Sequence, residues 1–301
     1  MNEREKLLVI INPVSGTTKK DDMPATILST LDQTKWDIDI SFTAFPGHAS
    51  ILAQEAIKNN YKVVATMGGD GTINEVASVL GGSNVALGII PCGSGNGFAR
   101  HIHIPTNVKE ALEVINDGNI TQVDYCTVND QPFFCTCGAG FDAKVSEKFA
   151  QSDTRGLITY IKTTINEFFN TRGDHYRITI DNETIDEKKA FVVACCNAAQ
   201  YGNNAYIAPN ASIQDGLIDM TVIHNLNIVD GPLLAARLLT KQIDKDNHVS
   251  IYRGKKITIE RDKPEIIHID GDPKMMPKHL EIACVEHGLN VIVKKEIEKV
   301  L

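Results

Sequence analysis

The sequence is poor in aromatic residues, which make up 6% of its 301 positions and include one tryptophan, Trp36. It holds no lysine- or arginine-rich tract, and its formal charge is −8. A nucleic-acid binder usually carries a basic face, so no nucleic-acid partner is expected. No uninterrupted apolar run reaches the roughly 18 residues of a spanning helix, and MNEREKLLVIINP puts acidic charge ahead of a short apolar run, unlike a secretory signal. The expectation is a cytoplasmic protein. Seven cysteines give one CxC (Cys135, Cys137) and one CC (Cys195, Cys196) but no CxxC pair, so neither a zinc framework nor a disulfide scaffold is expected.

What the sequence does have is a glycine turn set between two strong patterns. The β-branched run YKVVAT (61–66) leads into MGGDGTINEV (67–76), where Ile73, Val76, Ala77 and Leu80 then recur at helical spacing. That is strand, turn, helix. Gly68, Gly69 and Gly71 permit positive φ and close approach of a ligand to the main chain, and amides at a helix start favour a phosphate. Asp70 inside this turn suits either a divalent cation bridging to phosphates or a helix cap. The turn matches neither the GxxxxGK[ST] nor the GxGxxG template.

Similar units flank it. KLLVIINP (6–13) reads as a buried strand before the NPVSG turn and the helical stretch 22–34, WDIDISFTAF (36–45) alternates as a strand, and 47–60 has a helical apolar stripe. NVALGIIP (84–91) is a further strand, followed by CGSGNGFARHI and by a helix over 108–118. Four strands alternating with helices predict a doubly wound, largely parallel sheet, whose ligands sit beyond the carboxyl ends of the strands. Four loops converge there: NPVSG, SFTAFPGHA, GGDGT and PCGSGNG.

From TQVDYCTVND onward the texture changes to short alternating runs punctuated by Asn, Asp and Gly, which predicts an all-β, sandwich-like second domain. The expected division is 1–124, with the tail 296–301, for the α/β domain and 125–295 for the second. Two helical inserts are predicted in the latter, over 156–171 and 231–243. In the first, Ile158, Ile161, Ile165, Phe168 and Phe169 form an apolar face beside Arg155, Lys162 and Arg172, which fits a core-facing helix or a membrane-surface helix. Two acidic clusters, PNASIQDGLIDM (209–220) and HIDGDPKMMP (268–277), each contain Asp-Gly, a strong hairpin dipeptide.

NPVSG, GGDGTINE, IPCGSGNGFAR, the P…A…DG…D pattern at 209–219 and IDGD together resemble the signature of diacylglycerol kinase catalytic domains, sphingosine kinases and the bacterial lipid kinases related to them. The resemblance covers nearly the whole chain. It implies an α/β nucleotide domain and a β-sandwich lipid domain with the active site between them, ATP and Mg²⁺ as cofactors, and a lipid acceptor met at the inner face of the membrane without a spanning helix. It implies nucleotide contacts from Asn12, Pro13, Ser15, Gly16, Thr43, Gly68, Gly69, Asp70, Gly71, Thr72, Asn74, Gly93 and Ser94. It further implies a structural Mg²⁺ on Asp215 and the carbonyls of Ser212 and Leu217, with Asp272 as proton acceptor, Asp270 beside it, and Asp70 at the metal or its waters.

The chain departs from the pattern of many bacterial relatives at three places: Thr17 stands where a lysine often follows NPxSG, with Lys19 and Lys20 next in line; Gly97 follows Asn96; and Asp272 replaces a usual glutamate. These departures tilt the acceptor toward a lipid hydroxyl other than diacylglycerol, such as a sphingoid base. NAD kinase, which also carries GGDGT, is the alternative enzyme, and a nucleotide- or lipid-binding module without turnover is the alternative outside enzymes. Exposed edge strands in the second domain are compatible with a homodimer.

Overall fold

β1 (Glu5–Ile11) takes the apolar run that opens the chain, with its last five residues buried. It pairs in parallel with β2 (Trp36–Phe42) and with β3 (Val63–Gly68), and β3 pairs in parallel with β4 (Ala86–Pro91). All six residues of β3 and of β4 are buried, as expected of strands covered on both faces. These strands belong to a computed structural model that describes residues 4–16, 20, 22–150, 173–224, 226 and 229–297. The chain divides into two compact units, Met1–Val123 with His287–Leu301, and Asp124–Glu286.

In the first unit the crossovers are α1 (Met23–Thr30), α2 (His48–Lys58), α3 (Asp70–Leu80), the short α4 (Gly97–His101) and α5 (Val108–Asp117). α2 packs on α3 and α1 on α5. α3 turns Ile73, Val76, Ala77 and Leu80 inward, the stripe that the helical spacing predicts. α5 starts where the Asn107 side chain accepts the N–H groups of Lys109 and Glu110, an N-cap in place of water. The strand order β2–β1–β3–β4 is that of a doubly wound parallel sheet. A fifth strand joins beside β4 late in the chain, at Val291 opposite Leu87.

That fifth strand is the end of β15 (His279–Val293), whose first half lies in the second unit. The chain likewise passes from the first unit to the second within β5 (Asn119–Val128). Because β15 runs unbroken through the division, no change of texture marks the return, and the sequence reading assigned only 296–301 to the first unit.

The second unit is antiparallel. β6 (Gln131–Phe133) pairs with β5, and β7 (Thr136–Gly140) pairs with β13 (Glu265–Ile269) and with the long β9 (Glu183–Cys196). β9 also pairs with β8 (Asp174–Ile180) and β10 (Ile218–His224), which continues to β11 (Val249–Gly254). β12 (Lys256–Arg261) joins β8 to β15. Val193 and Cys195 of β9 enter one buried cluster, while Val192, Ala194 and Cys196 enter another. The period of two thus buries both faces of β9 and explains the near-continuous run AFVVACC.

α6 (Phe141–Ala150), which the sequence reading missed, follows β7 at Gly140 and packs on β13 and on β14 (Asp272–Met276). α7 (Gly231–Leu239) is the expected second insert and ends before the predicted 243. The expected insert over 156–171 lies outside the described residues.

Candidate functional site

In the first unit, the loops that leave the carboxyl ends of β1, β3 and β4 are tied to one another. Asn12 donates its backbone N–H to Met67 O at 3.0 Å and its side-chain amide to Thr72 Oγ at 2.8 Å. Thr72 is buried under this contact, while Pro13 and Val14 are exposed at the tip of the loop. Lys20 reaches back into the same loop and is itself buried. Its Nζ donates to Asn12 O at 2.8 Å, Ser15 O at 2.7 Å and Ser15 Oγ at 2.6 Å, which uses all three of its protons. Burial holds the Lys20 ammonium below its usual value, opposed by the nearby Cys92 thiol. Thr17 and Lys19 lie outside the described residues.

Glycine is required where these loops touch. Gly16 has φ +67°, and a Cβ there would sit 2.0 Å from Cys92 O. A Cβ on Gly93 would sit 2.6 Å from the Cα of Gly69, so the two glycine loops pack main chain on main chain. Gly68 lies as closely over Thr72.

Asp70 is the first residue of α3, and its carboxylate caps a different helix. Oδ2 accepts the N–H of Asn96 at 2.8 Å and Oδ1 that of Gly97 at 2.7 Å, which satisfies amides at the start of α4. Asn96 is buried in the left-handed conformation at φ +52°. Its side chain closes the 93–96 turn by accepting Gly93 N–H at 2.9 Å and donating to Gly93 O at 2.8 Å. Ser94 is left exposed at the tip of that turn. Asn74, one turn into α3, accepts Ser78 Oγ–H at 3.3 Å. Thr43 continues the line at the end of β2, its N–H on Ile11 O at 2.9 Å.

The second unit holds the two acidic loops. In the first of them Asp215 is exposed, accepts Leu217 N–H at 3.1 Å and lies 3.4 Å from Arg253, and Ser212 Oγ accepts Gln214 N–H at 3.2 Å. Arg253 forks onto the buried Asp219 with two bonds of 3.0 Å and also donates to Asn210 O. Burial pushes the Asp219 carboxyl up even against Arg253, whose own guanidinium is held more firmly protonated by that pair. Gly216 N–H goes to the buried Asp124 at 2.8 Å. Asp215 supplies a carboxylate oxygen, a hard donor of the kind that suits Mg²⁺, and it lies beside Arg253, which offsets the neighbouring negative charge. Among the described residues no cluster of three or more His, Cys, Asp or Glu side chains is arranged as a metal cage.

The second acidic loop is a two-residue hairpin. Ile269 pairs with Asp272, and Asp270 and Gly271 between them have φ +48° and +91°, as a type I′ Asp-Gly turn requires. Asp270 points back into its own unit and accepts the N–H groups of Phe134, Cys135 and Thr136 at 2.9, 2.8 and 3.0 Å. Asp272 is exposed at the start of β14. Beneath the turn His268 is buried, with its Nε2 3.1 Å from Asp142 Oδ2 and its Nδ1 accepting Gly271 N–H at 3.4 Å. Tyr201 donates to the same Asp142 oxygen at 2.9 Å.

Asp142 and Asp124 are the residues that sequence reasoning overlooked. Each is a single carboxylate between apolar neighbours, in GFDAKV and QVDYC, with no adjacent glycine or acid to draw attention. Only the fold brings them under the acidic loops.

The model for the diacylglycerol kinase catalytic domain matches residues 6–128, and that for the YegS C-terminal NAD kinase beta sandwich-like domain matches 135–293. The chain belongs to the diacylglycerol kinase and YegS-like lipid kinase family. Within that family it is 25% identical over 295 residues to a diacylglycerol kinase of Bacillus subtilis, covering 96% of both chains. It is 30% identical over 244 residues to the Klebsiella pneumoniae protein named probable lipid kinase YegS-like, covering 79% of this chain and 80% of that one. The family fold is matched by the crystal structure of a diacylglycerol kinase from Bacillus anthracis, with TM-score 0.76 at 22% identity over 99% of this chain and all of the other. An NAD kinase from Archaeoglobus fulgidus in complex with ATP shares the fold more distantly, with TM-score 0.54 at 12% identity over 98% and 96% of the two chains.

Proposed function

We propose that the chain transfers the γ-phosphoryl group of ATP to the hydroxyl of a membrane lipid, with Mg²⁺ as the divalent cation. The observation that carries this reading is the packing of the Asn12, Asp70 and Gly93 loops on one another at the ends of parallel strands, in a chain of this family. Such loops present main-chain amides to phosphates, which is how a fold positions a phosphoryl donor without covalent chemistry. Ser15, Thr72 and Ser94 hydroxyls and the amides of Gly68 through Asn74 are the proposed nucleotide contacts, with Thr43 beside them.

Asp272 is the proposed proton acceptor, because it is exposed while Asp270 accepts three backbone amides. A carboxylate that takes the acceptor hydroxyl's proton as the P–O bond forms completes the chemistry. Asp215 with the Ser212 and Leu217 carbonyls would hold Mg²⁺, which supplies charge neutralisation and order to the loop. Among the described residues no helix is long and apolar enough to cross a membrane, which fits an enzyme that meets its lipid at the surface.

The test is transfer of labelled γ-phosphate from ATP in Mg²⁺ to dispersed diacylglycerol, monoacylglycerol, sphingosine, dihydrosphingosine and phosphatidylglycerol, with NAD as a separate acceptor. Labelling of one lipid class, lost in Asp272→Asn, is the expected result. Labelling of NAD alone would reverse the assignment, and ATP binding without transfer to any acceptor would leave a binding module.

A further inference from the structure

The sequence Phe45-Pro46-Gly47-His48 builds a small aromatic platform in the first unit. Phe45 O accepts His48 N–H at 3.1 Å, and Gly47 has φ +86° and ψ −9°. Proline second and glycine third, with that i to i+3 bond, make a type II turn, which brings the first and fourth side chains together. The two rings stack, with centroids 4.7 Å apart and planes 18° from parallel. Positive φ alone demands glycine at position 47, since a Cβ there would touch nothing within 4 Å.

The platform is held rigidly and left open. His48 Nδ1 accepts Ala44 N–H at 3.0 Å, which fixes the ring and leaves Nε2 as the protonated nitrogen of the neutral imidazole. Gly47 N–H goes to Glu75 Oε1 at 3.1 Å, and Ser50 Oγ–H to Glu75 O at 3.0 Å, so the turn is anchored to α3. Phe45 nevertheless remains 54% exposed. A fixed pair of rings open to solvent is a costly arrangement for a turn that needs neither, and it is what a flat π-system stacks on. Glu75 lies five residues along α3 from Asp70, about 7.5 Å at the helical rise. The turn is thereby tied to the same helix that Asp70 opens.

We propose that the Phe45–His48 pair is the stacking platform for the purine base of the nucleotide whose phosphates lie on the Asn12, Asp70 and Gly93 loops. The proposal rests on the nucleotide reading above and adds the base to it. Phe45 is a binding residue in this account and takes no part in proton or phosphoryl transfer.

The experiment measures binding of ATP and of inorganic tripolyphosphate to the full chain and to Phe45→Ala, Phe45→Tyr and Phe45→Trp. Phe45→Ala should weaken ATP roughly five- to a hundred-fold, the range that one stacked base commands, and leave tripolyphosphate unchanged. Phe45→Tyr should restore the affinity. In Phe45→Trp the new indole should be quenched by ATP and not by tripolyphosphate, over a constant background from buried Trp36. Undiminished ATP affinity in Phe45→Ala would overturn the platform while leaving the nucleotide site standing. Failure of the unaltered chain to bind ATP at all would overturn the nucleotide reading, and this inference with it.

Discussion

The carboxylate of Asp70 accepts the backbone N–H of Gly97 at 2.7 Å, so the first residue of one helix holds the first residue of another. The same carboxylate takes Asn96 N–H with its other oxygen. Asparagine at position 70 keeps one acceptor and turns an amide NH₂ toward the other donor. Asp70→Asn should therefore weaken nucleotide binding and also lower stability by about 1–3 kcal/mol, the cost of leaving a buried donor unmade. Urea unfolding beside nucleotide titration checks this. Lost activity at undiminished stability would mean that the carboxylate serves a bound cation and not the loop.

A methyl group at position 93 would meet the Cα of Gly69 at 2.6 Å. Both partners are main chain, so no side chain can swing away. Gly93→Ala should push the two glycine loops apart and cut ATP affinity at least about tenfold, whereas Gly82→Ala, where a Cβ meets nothing within 4 Å, should leave affinity intact. Equal affinities for the two variants would show that the loops need not be in contact.

The buried His268 and Asp142 and the half-buried Tyr201 form a polar cluster directly under the Asp270–Gly271 turn. Asp142→Asn removes an acceptor shared by two donors, and a buried donor left without a partner costs about 1–3 kcal/mol. Because His268 accepts the turn's own Gly271 N–H, the loss should reach Asp272. We expect Asp142→Asn to lower kcat more than it raises the KM for the lipid, with rescue by Asp142→Glu weaker than the native residue. A variant with lowered melting temperature but unchanged kcat would confine the cluster to a structural role.

How far the sequence carried the reading depended on whether the signal was local. Ile73, Val76, Ala77 and Leu80 mark α3 because a helix buries every third or fourth residue, and the stripe needs no partner to be recognised. Asp-Gly at 270–271 marks its own hairpin for the same reason. Asp70 was legible as an important carboxylate, but the cap it provides spans 27 residues to Gly97, and both a cap and a cation ligand were open. Asp142 was not legible at all, since its partners Tyr201 and His268 lie 59 and 126 residues away and only the sheet order brings them together. The helical pattern of α6 was hidden by the strand-like run before it. Lys20 was named from its place after NPVSG, while its burial over Asn12 and Ser15 depends on the loop's return path.

One contributor to the pH dependence lies in the second unit. His279 stands across from Glu260 in the β12–β15 ladder and lies 2.5 Å from it and 3.2 Å from Glu281. Both carboxylates hold its imidazole above the usual 6.5, Glu260 more strongly. A raised histidine pKa stabilises the fold fully below the unfolded value and loses that contribution as pH rises through the folded one. Stability should therefore fall as pH rises above the ordinary histidine value of 6.5 in the native chain, and His279→Gln should flatten that part of the profile. The site is substantially exposed, so the effect should also shrink with added salt. A profile unchanged by the substitution would mean that the three side chains are not paired in solution.

Asp270 and Asp272 sit two residues apart in the same hairpin and should fail in opposite ways. Asp270 is a hub for three backbone amides between β6 and β7, so Asp270→Asn should lower stability by about 1–3 kcal/mol and drag activity down through the misplaced turn. Asp272 is exposed, so Asp272→Asn should cost less stability than Asp270→Asn. If Asp272 takes the proton, that variant should nevertheless lose roughly 10²–10⁴ in kcat, the range of general base catalysis, with nucleotide affinity unchanged. Measuring kcat for both variants at temperatures where each is fully folded separates the roles. A large kcat loss in folded Asp270→Asn with near-native turnover in Asp272→Asn would move the base to Asp270 and make its three amides the means of setting its basicity.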